Sequence, residues 1–317
     1  MNVLSLDDWL DRTLIGYSAL GYRWRGLGHD AGGRVRSGLE GHAALVTGAG
    51  GGIGEAACIG LARAGAVVHM VVRDARRAEP ARERVARAAP PDVPPRVHVC
   101  DVSRLESVRA FAGAFAAAEP RLRVLVHDAS VYPTRRERTP DGLEVTFATN
   151  VAGPFLLTSL LLGTLRADPP ARVVTVSSGG MYSSRLRADD LQLDRADFSG
   201  GAFYGHTKRL QVILSEAAAR RCPGVSFVAM HPGWVDTPGL RRALPRFRAA
   251  ARRVLRDPAA GADTIVWLAT APEPALRDGG FWHDRRPRPR HRVPWTRETA
   301  PERERAWSEV ARLTGAG

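Results

Sequence analysis

A single doubly wound α/β domain, with helical extensions at both ends, is the fold this sequence predicts, and three observations carry it. From Ala43 onward, short apolar runs alternate with longer helical segments, the pattern of a parallel sheet covered on both faces. The first run leads into Thr47-Gly48-Ala49-Gly50-Gly51-Gly52-Ile53-Gly54, a glycine-rich turn of the kind that joins a strand to a helix over a phosphate. The chain has 317 residues, 44% of them hydrophobic, enough for one large core.

Taken in order, residues 5–24 read as a helix. Ser5 and Asp8 make a capping-box-like start, and Leu6, Leu10, Leu14 and Tyr17 recur at helical spacing. Gly26 to Gly41 is Gly-rich and charged and reads as a linker. Strand candidates follow at 43–47, 66–72, 96–100, 122–126, 171–177 and 225–230. Between them lie helices near 52–64, 75–88, 104–118, 141–165 and 204–220. After Pro232 the order loosens to a helix near 259–270, a last short strand at Phe281-Trp282, a Pro- and Arg-bearing stretch at 285–294 and a final charged helix. The expected limits are 1–40 for the extension and linker, 41–283 for the sheet domain and 284–317 for a basic tail.

The net charge is +13, yet no basic run is interleaved with aromatics and no zinc spacing occurs, so nucleic acid is not an expected partner. The charge reads as arginine-rich surface that attracts anionic ligands and surfaces. Cys58, Cys100 and Cys222 are odd in number and lack metal-ligand spacing, which predicts free thiols in a reducing cytoplasm and no metal site. No apolar stretch reaches membrane-spanning length. Asp7, Asp8 and Asp11 precede the apolar N-terminal residues, the wrong charge order for a secretory signal. A cytoplasmic protein is expected, at most peripheral to a membrane.

Lys208 is the only lysine among 46 basic residues. Coding bias accounts for the arginines and leaves chance survival as one account of Lys208. The other is a need for a compact ammonium rather than a planar fork. Lys208 follows Tyr204 by four residues, so on a helix both side chains share one face, one turn apart. A tyrosine with a pKa near ~10 is a poor base at neutral pH, and an adjacent ammonium stabilises its phenolate. Ser177-Ser178 closes the run Arg172–Val176; serines at the carboxyl end of a parallel strand face the crevice where ligands bind. Ser178 is thus placed to hold a substrate oxygen while Tyr204 moves the proton.

At the end of the second strand stands Val71-Val72-Arg73-Asp74. An acid there accepts from ribose hydroxyls, whereas an arginine accommodates a 2′-phosphate. Arg73 comes first and can bind phosphate bidentately, so NADP(H) is expected ahead of NAD(H). A solvated Arg73 beside a helix-capping Asp74 is the alternative.

These elements, in this order, resemble the short-chain dehydrogenase/reductase family from about Ala43 to Leu268. The resemblance implies a Rossmann fold and a catalytic set of Asn150, Ser178, Tyr204 and Lys208, with Asn150 holding a water of the proton relay. It implies a cofactor site of Thr47, Gly48, Gly52, Ile53 and Gly54 in the loop, Arg73, then Asp101 and Val102 near the adenine, and Ala129. Tyr204 and Lys208 complete that site with Pro232, Gly233, Val235 and Thr237, whose segment packs along the nicotinamide. The expected reaction is NADP(H)-dependent reduction of a carbonyl, or oxidation of an alcohol, on a lipophilic small molecule.

One departure stands out. Where the family usually has Asn-Asn-Ala-Gly, this chain has His127-Asp128-Ala129-Ser130. His127 and Asp128 can bond neighbouring backbone, or they mark a weakly active protein. The rival reading is therefore a cofactor-binding sensor or scaffold without turnover. The gap from Ser178 to Tyr204 is long for the family; Met181 to Gly201 reads either as a wall of the substrate pocket or as a surface loop. Arg241 to Arg256 holds seven arginines and no acid. It either lies on an anionic membrane surface or packs an apolar side onto the domain. Trp9, Tyr17, Tyr22 and Trp24 fit interfacial contact or docking equally well.

Overall fold

The structure is a computed structural model that describes residues 7, 10, 11, 13–26, 38–272 and 279–316. Six apolar runs form the central strands: β1 (Ala43–Thr47), β2 (Val67–Val72), β3 (Arg96–Val99), β4 (Val124–His127), β5 (Ala171–Val176) and β6 (Val225–Met230). Residues of β1, β4 and β5 are buried throughout, which is why they read as unbroken apolar runs rather than alternating ones. Two short strands, β7 (Phe281–His283) and β8 (Arg286–Arg288), complete the order β3-β2-β1-β4-β5-β6-β7-β8. All pairings among the described strands are parallel except β7 with β8. The sequence does not predict β8. Its Arg-Pro-Arg composition reads as coil, and Pro287 is tolerated because the strand forms the sheet edge.

The chain runs outward from β1 to β3, then returns to place β4 on the other side of β1. This reversal is the topological switch point, and ligands of such sheets bind in the crevice beyond it. Thr47 pairs in register with His127, so the glycine loop and the His127–Ser130 motif leave adjacent strand ends together.

The helices are α1 (Ala19–Trp24), α2 (Gly52–Arg63), α3 (Ala75–Ala86), α4 (Leu105–Ala118), α5 (Gly153–Leu160), α6 (Gly200–Arg221), α7 (Pro258–Thr270) and α8 (Ala300–Thr314), with shorter turns between. One sheet face packs Val46, Met70 and Val228 under Leu61, Ile265 and Leu268 of α2 and α7. The other packs Leu45, Leu125 and Val173 under Phe111, Leu156, Leu210 and Val310 of α4, α5, α6 and α8.

Three expected helices differ from the sequence reading. In place of one helix over 5–24, a 3₁₀ turn spans Leu14–Tyr17 and α1 starts afresh. Between them Ser18 is extended (φ −84°, ψ 170°), and its hydroxyl accepts the Gly21 N–H, capping α1. Ser5, Leu6, Asp8 and Trp9 lie outside the described residues, as does most of the 26–41 linker. The helix expected over 141–165 is a single turn at Val145–Phe147, a π turn at Ala148–Ala152, then α5 and a short helix at Leu162–Arg166. Gly153 sits so close to the β3–α4 loop that a Cβ there would meet the Val102 carbonyl oxygen at 1.9 Å. Helix α6 begins four residues earlier than its apolar spacing suggests, because the Ser199 hydroxyl accepts the Ala202 N–H. The basic 241–256 stretch holds parts of two short helices, Pro238–Ala243 and Pro245–Ala251, separated at Pro245.

Among the described residues no helix is long and apolar enough to cross a membrane, and no cluster of potential metal ligands forms. All three cysteines are free thiols.

Candidate active site

The glycine loop is shaped by close approach. Gly48 has φ +73°, a left-handed value that disfavours a side chain, and a Cβ there would lie 2.8 Å from the Ala129 backbone. A Cβ on Gly54 would meet the Gly48 carbonyl oxygen at 2.5 Å and an Asp128 carboxylate oxygen at 2.8 Å. Helix α2 starts at Gly52 behind Gly51, which offers no side-chain cap, and the Gly52 and Ile53 N–H groups remain available to an anion. Ile53 occupies the first turn of α2, partly buried against the apolar face that α7 covers. Thr47 faces inward: its hydroxyl accepts the Asp128 and Ala129 N–H groups, both at 3.2 Å, fastening the loop to the end of β4.

Arg73 is exposed at the end of β2 and enters no ion pair among the described residues. The Asp74 carboxylate accepts the Arg77 N–H at 3.2 Å and caps α3. Asp101, at the end of β3, uses one carboxylate oxygen to accept from the Ser103 N–H and hydroxyl. Val102 is buried beneath it. A dinucleotide fits what is present: a cradle that a Cβ would fill, a helix start with two N–H groups open and an unengaged guanidinium.

Across the switch point, α6 carries Tyr204 and Lys208 on one face. The Lys208 ammonium is buried, donates to the Val176 carbonyl at 2.9 Å and lies 5.3 Å from the centre of the Tyr204 ring. Burial pushes its pKa down to about 8, opposed by the Asp128 carboxylate. The Tyr204 hydroxyl faces Ser178 and Ser130, near enough for both side chains to favour its ionised form. Burial pushes its pKa up to about 12, opposed by Ser178 and Ser130 and reinforced by the charge of Asp128. Ser178 is fixed at the start of a 3₁₀ turn, Gly179–Ser183, by accepting the Gly180 N–H at 3.2 Å. Its neighbour Ser177 turns inward and donates to the Lys208 carbonyl at 2.7 Å. Only Ser178 of the pair faces the crevice.

Asn150 sits within the π turn, and such turns are frequent at functional sites. Its side-chain oxygen accepts the Val131 N–H at 3.0 Å, and its amide donates to the Thr207 hydroxyl at 3.0 Å. Its backbone carbonyl accepts from Gln211 at 2.6 Å. Asn150 therefore locks the chain beyond β4 onto α6, one residue from Lys208.

Every altered residue of the His127–Ser130 motif has a partner. The His127 ring shares a 2.7 Å hydrogen bond with the Thr158 hydroxyl, and burial keeps it neutral, with a pKa down to about 3. Asp128 accepts the Gly54 N–H; burial pushes its carboxyl up to about 7, against the opposing pull of Lys208 and that N–H. Ala129 packs on Gly48, and Ser130 faces the Tyr204 hydroxyl. Sequence reasoning missed Ser130 and Tyr132, whose ring lies 5.2 Å from that of Tyr204; the departure at 127–130 was the available signal.

The segment after β6 closes the far side. His231, just before Pro232, stacks on His283 with ring centres 3.8 Å apart. Gly233 has φ +80° and is pressed against Arg256 and the Tyr17 carbonyl. Val235 is buried against Gly261 of α7. The Thr237 methyl lies 3.3 Å from where a Gly52 Cβ would be, so this segment meets the glycine loop directly. The N-terminal extension holds it there. The Trp234 N–H donates to the Tyr17 carbonyl at 2.7 Å, and buried Arg256 donates to the Gly16, Tyr17 and Ser18 carbonyls and pairs with Asp284. The stretch from Met181 to Gly201 buries Leu186, Ala188 and Leu191 in the main core, and Arg136 donates to its Leu193 and Ala196 carbonyls. It is packed onto the domain rather than loose on its surface.

Comparison with known proteins gives a consistent picture. A family model described as short chain dehydrogenase matches residues 42–187. Dehydrogenase/reductase SDR family member 12 of Bos taurus is 43% identical over 254 residues, 80% of this chain and 80% of that protein. Retinol dehydrogenase 14 of Homo sapiens is 34% identical over 267 residues, 78% of this chain and 79% of that one. Among solved structures, an uncharacterized protein from Mycobacterium paratuberculosis superposes with a TM-score of 0.71 at 26% identity, over 88% of this chain and 95% of its own.

Proposed function

The chain belongs to the short-chain dehydrogenase/reductase family, oxidoreductases of CH–OH and C=O groups, and on that premise we propose that it reduces the carbonyl of a lipophilic small molecule with NADP(H), or oxidises the matching alcohol. The observation that carries the reading is the meeting of Tyr204, Ser178 and Lys208 over the ends of β4 and β5, beside the glycine loop. When bound, the nicotinamide would supply or accept the hydride. Ser178 and Tyr204 hold the substrate oxygen between their hydroxyls, and Tyr204 gives its proton to that oxygen or takes it back. Lys208 stabilises the phenolate that Tyr204 becomes when it has given the proton. Asn150 keeps the chain beyond β4 and α6 in register, and the side of the crevice it occupies is where a proton returns to Tyr204.

NADP(H) over NAD(H) rests on Arg73, exposed and unengaged among the described residues, and on Asp74, whose carboxylate is taken up by the helix cap. The lipophilic substrate class follows the resemblance to a retinol dehydrogenase. Free thiols suit a cytoplasmic setting.

The test is cofactor consumption by the full chain with a panel of aldehydes and ketones of graded lipophilicity. NADPH oxidation that depends on an added carbonyl is expected. NADPH binding without turnover on any of them would favour the sensor reading. In parallel, Arg73→Ala is expected to weaken NADPH binding by about 10- to 100-fold, the loss of a charge-assisted phosphate contact, and to leave NADH binding unchanged. Tighter binding of NADH than NADPH by the wild-type protein would overturn the role of Arg73.

A further inference from the structure

Large apolar side chains left exposed are normally scattered; here they gather. Five of the eight among the described residues, Ile15, Leu20, Trp24, Leu244 and Val254, lie on the N-terminal extension and on the basic stretch that follows β6. The two segments touch, since the Ala19 N–H donates to the Val254 carbonyl at 2.8 Å. On α1, Leu20, Arg23 and Trp24 are three and four residues apart and share one face, while Gly21 and Tyr22 are buried.

The basic stretch divides its side chains the same way. Phe247 turns inward, its ring 5.3 Å from that of Trp234, and Arg256 is buried. Asp236 accepts from Arg241 and Arg248. Left facing outward are Leu244 and Val254 with Arg242, Arg246, Arg252 and Arg253, all exposed, and no acid lies between Arg241 and Arg256.

We propose that this face, formed by α1 and residues 241–254, docks the protein on an anionic lipid bilayer. Leu20, Trp24, Leu244 and Val254 would enter the boundary between headgroups and acyl chains, and the guanidinium groups would meet lipid phosphates. Charge complementarity chooses the occupant: a net charge of +13 draws the chain toward any anionic surface. A second copy would bring like-charged arginines together. Nucleic acid would leave the aliphatic side chains without a purpose. The face adjoins the segment Pro232–Thr237 and so opens beside the crevice. On the reading proposed above, a compound dissolved in the bilayer reaches Ser178 without crossing bulk water.

Sedimentation of the full chain with vesicles tests this without substrate or turnover, so its outcome is separate from that of the active-site reading. Vesicles of phosphatidylcholine alone are compared with vesicles in which roughly a third of the lipid is phosphatidylserine. Partition is expected to be at least about tenfold stronger on the anionic vesicles and to fall in high salt. The pair Leu20→Ser/Trp24→Ser, which keeps the net charge, and the pair Arg242→Gln/Arg246→Gln are each expected to lower it about tenfold or more. Arg121→Gln/Arg166→Gln, a charge-matched change at the opposite end of the sheet, should leave it unchanged. Three results would overturn the proposal: no partition, equal partition on both vesicle types, or equal behaviour of the test and control pairs. A concentration-dependent dimer abolished by Leu20→Ser/Trp24→Ser would also overturn it, by seating a second copy on the face.

Discussion

Lys208→Met removes the one ammonium beside Tyr204, and the structure sets the size of the effect. With the Lys208 Nζ 5.3 Å from the ring centre, a unit positive charge favours a phenolate charge spread over that ring by at most about 3 kcal/mol at an effective dielectric of about 20. That limit equals about 2 pKa units. An opposite charge favours the ionised form, so its removal raises the tyrosine pKa. In alcohol oxidation, where Tyr204 acts as the base, the rate at a fixed pH below that pKa should fall by up to about 100-fold. The gap to wild type should narrow as pH rises through about 8, where Lys208 itself gives up its proton in the free protein. Initial rates of NADP⁺ reduction with a secondary alcohol, followed across roughly pH 6 to 10, read both features.

Stability should move the other way. Burial depresses Lys208 from 10.5 to about 8, so between those values the unfolded chain holds more protons and wild-type stability rises with pH. Below about 8 the buried ammonium costs the fold about 3 kcal/mol. Lys208→Met should therefore raise Tm at neutral pH while losing activity, and unfolding cannot then explain the loss. A variant that turns over within about threefold of wild type, with an unmoved pH profile, would refute the electrostatic role.

Two further substitutions and one control probe the crevice. Gly54→Ala places a Cβ 2.5 Å from the Gly48 carbonyl oxygen and is expected to raise the Kd for NADPH at least about tenfold, read by fluorescence titration. Gly51→Ala, with nothing within 4 Å of its Cβ, is the matched control and should stay near wild type. Asp128→Asn restores the amide usual in the family. The anionic carboxylate raises the Tyr204 pKa, so its loss should shift the alcohol-oxidation profile to lower pH. That shift should vanish below about 7, where the wild-type carboxyl is already protonated.

The sheet was legible because strands buried on both faces must be apolar at every position, and Leu45, Val46, Val173 and Val174 obey that rule. Breaks inside helices were not. The π turn at Ala148–Ala152 keeps an apolar helical pattern, and the close approach of Gly153 to the Val102 carbonyl that follows it is a tertiary contact. Ser18 ends one turn and caps the next, and either use fits a serine in a helical run. That Tyr204, Lys208 and Ser178 come together was legible from their helical spacing and strand-end position. The partners of the His127–Ser130 motif could not, since Thr158, Gly54 and Tyr204 become neighbours only across the closed crevice. The same holds for the docking of Tyr17 on Trp234, which makes the N-terminal extension part of the crevice wall.

The most direct test is Tyr204→Phe, compared with wild type for NADPH binding and for carbonyl-dependent NADPH oxidation. The variant deletes a hydroxyl that faces Ser178 and Ser130 and leaves the ring in place. NADPH affinity within about threefold of wild type, with turnover reduced by about 10³-fold or more, is the predicted result. Turnover near the wild-type rate would contradict the assignment of Tyr204 as the proton donor.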